Sequence, residues 1–270
     1  MTHKNLLILI ILLAEAVIGT LTIQYERLEH GTPALSNEFP FMAAILKKNN
    51  TFHCNAVLVS DKVLLTTASC LHFPKDDRPI IIRTGTNNIL HGGETHKIKS
   101  TKILQKRVIS KSHQNESKWY YDLGAIKLEK PIKINSKQRP INLTEIPPPE
   151  LGIGLDRQKD SATIVAWGKG KDNKTDPDLQ KVSAKLEANF FCKYLWNWKF
   201  HDHRLCGVRT PYREQKYFCT GNDGGAFIYK DALLAITSRG GGPLCNPGYL
   251  VTMNSIYHLK FFIDPILKED

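Results

Sequence analysis

The stretch Cys219 to Ala226, CTGNDGGA, concentrates residue types that could do chemistry: a carboxylate, Asp223, set among three glycines just behind a cysteine. The run CTGNDGGAFIY has the form of a loop that presents a nucleophilic serine, with Asp223 standing where the hydroxyl would be. A carboxylate can itself be a nucleophile in glycosidases and some ATPases, or can pair with a second carboxylate such as Asp122 as acid and base. Toward an amide its attack would give an anhydride, a far better leaving group than the departing amine, with no acid to help the amine leave. His53 and His72 flank Cys54 and Cys70. Service as a general base requires hydrogen-bond reach to the reacting proton, and a histidine in a strand-and-loop setting is more often an ordinary polar side chain. The HDH stretch (His201, His203) offers two metal ligands where a protein site needs at least three. The run Gly240 to Gly242 lacks the Lys-Ser/Thr context of a phosphate loop. Neither metal nor cofactor is expected.

The elements that must position these residues are short. FMAAIL, AVLVS, VLLTTA, IIIRTG, LGAIKL, ATIVAWG, AFIY and ALLAITS recur with Gly, Asn, Asp and Pro between them. Short runs rich in Val, Ile and Thr, punctuated by turn formers, predict many strands in an all-β sandwich or barrel. Only SIYHLKFFIDPIL has helical spacing, with Ile256, Leu259 and Ile263 on one face and Pro265 limiting continuation. Pro147 to Pro149 fit no strand interior and mark a linker between two halves.

The chain has 270 residues, 41% hydrophobic and 23% charged, as ordinary folded proteins do. Leu6 to Ala14 (LLILIILLA) are nine unbroken apolar positions behind MTHK. A membrane-spanning helix needs about 20, so residues 1–20 read as a secretory signal peptide, and Glu15 argues against an anchor. The secreted, extracellular location fits six cysteines without a CxxC pair, read as three disulfides whose pairing six cysteines alone leave open. Asn49, Asn115, Asn142 and Asn173 open glycosylation sequons. The net charge of +11 favours acidic partners, and seven Lys or Arg meet one acid, Glu116, between Lys97 and Lys118. Lys97 and Lys99 should share a strand face there.

Six segments in order resemble the chymotrypsin-like (trypsin-fold) serine protease family, from about Leu28 to Leu267. FPFMAAIL is similar to its first strand, FHCNAVLVSDKVLLTTASC to HFCGGSLIS…VLTAAHC, and YYDLGAIKLEKPI to NDIALLKLxxPV. VAWGKG with LQKVSAKL resembles GWG…LQ, CTGNDGGA resembles CxGDSGGP, and NPGYLVTMNSIYHLKFFI is similar to PGVYTRVSxYxxWI. The resemblance implies two six-stranded antiparallel β-barrels with a C-terminal helix, residues 28–267 forming one protease-homologue domain with its crossover near 144–155. It also implies disulfides Cys54–Cys70, Cys192–Cys206 and Cys219–Cys245, and a short propeptide-like segment at 21–27.

In that family serine attacks, histidine takes its proton and aspartate holds the histidine's tautomer. The resemblance places Asp122 at the aspartate, Ser69 at the histidine and Asp223 at the nucleophile, so two of three members are absent. Loss of the serine or histidine alone costs a protease about 10⁶ in turnover, about 8 kcal/mol of barrier. Activation is altered too. Cleavage after Arg27 would free the Leu28 ammonium to face Asn222 instead of an aspartate, without charge compensation. Gly221 keeps the oxyanion-hole position, with the Asp223 carboxylate its expected occupant. Tyr217 should fill the specificity pocket, and Arg239, followed by Gly240, replaces the tryptophan on which substrate backbone lies. Thr86 replaces a carboxylate of the calcium loop, so calcium is not expected.

These expectations converge on a secreted non-catalytic protease homologue. It would act by binding an extracellular protease, zymogen or inhibitor, as cofactor, decoy or regulator of a cascade of the immune or venom type. The alternative is a basic protein that uses Lys97–Lys118 to bind acidic polysaccharide or an anionic surface; nucleic acid is not an expected partner. A residual serine-type endopeptidase is the minor alternative.

Overall fold

Turn formers bound each strand and set the architecture. A computed structural model describes residues 31–47, 49–72, 81–104, 107–109, 117–119, 121–147, 162–169, 175–184, 203–206, 222–239 and 252–269. The first half supplies β1 (Thr32–Pro33), β2 (Met42–Leu46), β3 (Phe52–Leu58), β4 (Val63–Thr66), α1 (Ala68–Leu71), β5 (Ile81–Thr84), β6 (Glu94–Leu104), β7 (Arg107–Ile109), β8 (Ser117–Trp119) and β9 (Leu123–Leu128). Strands β2-β3-β4-β9-β6-β5 close into a six-stranded barrel. Every residue of β2 and β4 is buried, so their inner faces fill the barrel while their outer faces are covered. The Cys54–Cys70 disulfide ties β3 to α1 across 16 residues, a closure that stabilises by about 3 kcal/mol. The other two expected disulfides involve residues outside the described side chains.

The second half contributes β10 (Asn142–Leu143), β11 (Ala162–Lys169), β12 (Thr175–Ala184), β13 (Arg204–Cys206), β14 (Ala226–Tyr229), β15 (Ala232–Arg239), β16 (Thr252–Ser255) and α2 (Lys260–Lys268). The closed six-stranded barrel is the first of the two expected, and the second barrel falls in part on residues outside those described. Among the described residues the strands form one eight-stranded sheet, β1-β12-β11-β14-β15-β16-β13, with β10 beside β15. The two-residue β10 pairs with β15 in parallel, and the other described strand pairs of this sheet are antiparallel. The chain changes sheets between neighbouring residues: Ile141 N–H donates to Leu58 O of the barrel, while Asn142 pairs with Ala232.

The helix is limited near Pro265 as expected: α2 runs only three residues beyond it. An interior proline costs about 3 kcal/mol. Burial of Ile263 and Ile266 on the core-facing side returns about 1.5–3 kcal/mol each, which is enough to carry the helix past it. Ile256, Leu259, Ile263 and Ile266 join the same apolar core as the barrel and as Val165, Trp167 and Ile236 of the second sheet. The helix thus clasps both halves.

The face of β6 also needs refinement. Lys97 and Lys99 are both exposed as expected, but the register shifts between Ile98 and Ser100. After that bulge Ser100, Thr101 and Lys102 are all exposed, so strict alternation stops.

Candidate functional site

The site lies where the two halves meet. Thr67 caps α1, its side-chain oxygen accepting from Cys70 N–H (3.2 Å). That cap aims the first turn at the chain just ahead of β9, where Asp122 is 4% exposed. Ser69 N–H donates to Asp122 Oδ1 at 2.8 Å. Its hydroxyl lies 3.3 Å from Asp122 Oδ2 and 3.0 Å from Thr67 Oγ1, and its single proton serves one of them at a time. From the second sheet, Ser238 Oγ donates to Asp122 Oδ2 at 2.5 Å. Asn254 Nδ2 of β16 donates to the Asp122 carbonyl at 2.6 Å. These bonds hold the buried carboxylate with an amide and two hydroxyls. A hydroxyl neither accepts nor stores a proton near neutral pH, so they orient Asp122 without supplying a base.

Asp223 sits on a loop pinned from both sides. Within the second sheet, Thr237 Oγ1 donates to Asn222 O (2.5 Å) and Gly224 N–H to Thr237 O (2.8 Å). From the barrel, Asn55 N–H donates to Asp223 O (2.9 Å). Gly224 has φ +81, and a Cβ there would lie 2.0 Å from Asn55 O and 2.6 Å from Thr66 Oγ1. The position therefore demands glycine twice over, by conformation and by space. Ser238 follows Thr237 directly, so β15 carries both the loop's anchor and the hydroxyl on Asp122.

Asn55 was not singled out in the sequence, and it is the buried centre of this seam. Trp167 N–H donates to Asn55 Oδ1 (2.8 Å), and Asn55 Nδ2 donates to Trp167 O (3.0 Å) and Asp223 O (3.2 Å). An amide inside the apolar run FHCNAVLVS was the available signal, because a fully buried amide must find partners. Ser238, Thr237, Thr67 and Asn254 were missed as well; nothing in their local pattern marks them. Asn222 is held at the same place, Nδ2 donating to Trp167 O at 3.4 Å. Its side chain rests on Gly168, where a Cβ would come within 2.4 Å of Nδ2.

The histidines lie apart from this arrangement or are already engaged. His53 Nε2 donates to Cys70 O (3.2 Å). His72 closes α1, its backbone N–H donating to Ser69 O (3.4 Å). His203 is buried against Tyr121, ring centroids 4.4 Å apart, and His201 is outside the described residues. His96 Nε2 lies 2.8 Å from Thr84 Oγ1, and that hydroxyl donates to Gln138 Oε1. Burial pushes the His96 pKa down, and Glu94 offsets part of that shift. Thr86 Oγ1 closes its own loop, 3.1 Å from Asn88 O and 3.0 Å from His91 O, its single proton serving one of them at a time. Among the described residues no three His, Cys, Asp or Glu side chains are placed to hold a metal.

The structure thus brings Ser69, Asp122, Asn222 and Asp223 to one seam. Arg27, Leu28, Gly221, Tyr217, Gly240 and the Arg239 side chain lie outside the described residues. So do Asn115 and Asn173. Asn49 and Asn142 are both exposed. Asn49 sits at the β2–β3 turn, with Thr51 N–H and Oγ1 donating to its Oδ1 (3.1 and 2.6 Å).

Comparison with known proteins agrees with this geometry. The family described as Trypsin matches residues 29–259. The chain belongs to the trypsin family of serine proteases. It is 25% identical over 236 residues to snake venom serine protease KN11 of Trimeresurus stejnegeri, covering 82% of this chain and 80% of that one. It is 27% identical over 201 residues to transmembrane protease serine 9 of Rattus norvegicus, covering 74% of this chain and 18% of that protein. Two solved structures share the fold. One is neuropsin, a serine protease expressed in the limbic system of mouse brain (TM-score 0.70, 18% identity, 88% and 98% of the two chains). The other is the scabies mite inactivated protease paralogue S-D1 (TM-score 0.69, 17% identity, 88% and 97%). Among the described residues no helix is long and apolar enough to cross a membrane.

Proposed function

We propose that this trypsin-family chain is a secreted pseudoprotease that acts by binding rather than cleavage. The observation that carries this reading is Ser69: its amide and hydroxyl lie on Asp122, in the place that the family resemblance gives to the histidine. Among the described residues no imidazole stands between Asp122 and the residue at the nucleophile position, and that residue is a carboxylate. Losing one such member costs about 10⁶ in turnover, and losses within one catalytic unit do not add. Support also comes from the fold shared with a mite protein described as an inactivated protease paralogue. The similarity to venom serine proteases supports secretion.

What is retained is the frame. The Gly224 conformation, the Thr237 anchors and the Asn55 clamp keep the seam in shape, as a binding scaffold requires. The partner is an extracellular protease, zymogen or inhibitor, and the chain serves as its cofactor, decoy or regulator. The test is incubation of the secreted protein with peptide esters, peptide amides and a serine-reactive fluorophosphonate, beside a D223A variant. Turnover at the buffer rate and absence of label are the expected result. Hydrolysis that D223A abolishes would overturn the reading.

A further inference from the structure

The turn between β2 and β3 presents Asn49, the first residue of the run Asn49-Asn50-Thr51. All three residues are exposed. The hairpin closes through its backbone: Lys47 N–H donates to Thr51 O and Asn50 N–H to Lys47 O, each at 2.9 Å. Asn50 takes the left-handed conformation, φ 60, which asparagine tolerates in turns. The Asn49 side chain is therefore spare. Thr51 N–H and Oγ1 both donate to its Oδ1 (3.1 and 2.6 Å), occupying the two lone pairs of that oxygen. Its Nδ2 has no partner among the described residues. The carboxamide is thus held by its oxygen and offered by its nitrogen.

Asn142 opens the same three-residue pattern in a different setting. It is exposed as well, but Asn142 and Leu143 pair with Ala232 and Leu233 of β15. Thr144 is 3% exposed. Its N–H donates to Leu233 O (3.0 Å) and its Oγ1 accepts from Ile146 N–H (3.2 Å). Attachment of sugar to asparagine requires the hydroxyl two residues on as well as the amide. Both stand at the surface around Asn49, whereas pairing of β10 takes the Thr144 hydroxyl inside.

We propose that Asn49 carries an N-linked glycan, and that its occupancy exceeds that of Asn142. The donor is a lipid-diphosphate-linked oligosaccharide. Asn49 Nδ2 attacks the anomeric carbon, and the C–N bond forms as the anomeric C–O bond breaks. The lipid diphosphate leaves with the electron pair, and Nδ2 gives up one proton. Asn49 stays open to this transfer after folding, while Asn142 is open only until β15 arrives. The proposal rests on the secreted location proposed above and not on the absence of catalysis.

The test is expression of the full chain in a mammalian secretory cell line, with medium and lysate collected. Peptide N-glycosidase in heavy-oxygen water converts each glycosylated asparagine into a labelled aspartate, which peptide mass mapping locates. Variants N49Q, T51A and T51S are run beside it, with thermal melts to verify folding. The expected result is label at position 49, at higher occupancy than at 142. N49Q and T51A lose one glycan by gel mobility, and T51S keeps it. Secreted chain with Asn49 bare, or with Asn142 more fully labelled, would overturn the proposal and leave the secreted location standing. Unmodified chain confined to the cytosol would overturn both.

Discussion

Two buried polar groups, Asn55 and Asp122, sit in the same seam and are satisfied in different ways. The Asn55 amide engages backbone groups: Trp167 N–H, Trp167 O and Asp223 O. The Asp122 carboxylate is served by one backbone N–H and by two hydroxyls, those of Ser69 and Ser238. Backbone partners cannot change without moving strands, so the Asn55 set belongs to the fold. Side-chain partners can be exchanged one at a time, and the Asp122 set includes Ser69, at the position that the family resemblance gives to the histidine. A change at such positions leaves architecture intact, because the frame does not depend on them.

That comparison can be broken at its strongest point first. G224A should cost the most, at least about 4 kcal/mol, since its methyl group would meet Asn55 O at 2.0 Å in a positive-φ conformation. Denaturant unfolding of whatever folds measures it. N55A comes next: Trp167 N–H and O lose a buried partner, at about 1–3 kcal/mol each, whereas S238A should cost about 1–2 kcal/mol because Asp122 keeps the Ser69 amide. Equal unfolding midpoints for N55A and S238A would erase the distinction between the two networks. The smallest effect concerns pH. Folding lowers the His96 pKa below its ordinary 6.5, so the unfolded chain binds more protons just below that value. Stability should then fall as pH drops below about 6.5, and less steeply in H96Q. Parallel pH profiles of the two proteins would remove His96 from the account.

Much of this molecule was readable before its structure. Periodicity and turn formers located the strands, and quoted segments such as TTASC and CTGNDGGA placed Ser69, Asp122 and Asp223 in one site. The Cys54–Cys70 bridge also formed as the resemblance implied. What stayed hidden was set by distance along the chain. Asn55 finds Trp167 across 112 residues and Ser238 finds Asp122 across 116, and no local pattern announces such partners. That α2 carries Pro265 in its interior has a related reason, because the proline's local cost is outweighed by core contacts that only the folded chain makes. The bulge at Lys99 shifted exposure along β6 in a way that alternation alone does not foresee.

The Asn55 clamp also sets a clock. Its two Trp167 partners lie 112 residues downstream, and a ribosome adding about 5–20 residues per second takes roughly 5–20 seconds to make them. Throughout that interval the emerging barrel holds a strand with an unmet amide at its edge, which water or a chaperone must cover. The first half of the chain is thus an unfinished surface during synthesis, and its completion waits first on Trp167 and then on Asp223, 168 residues downstream.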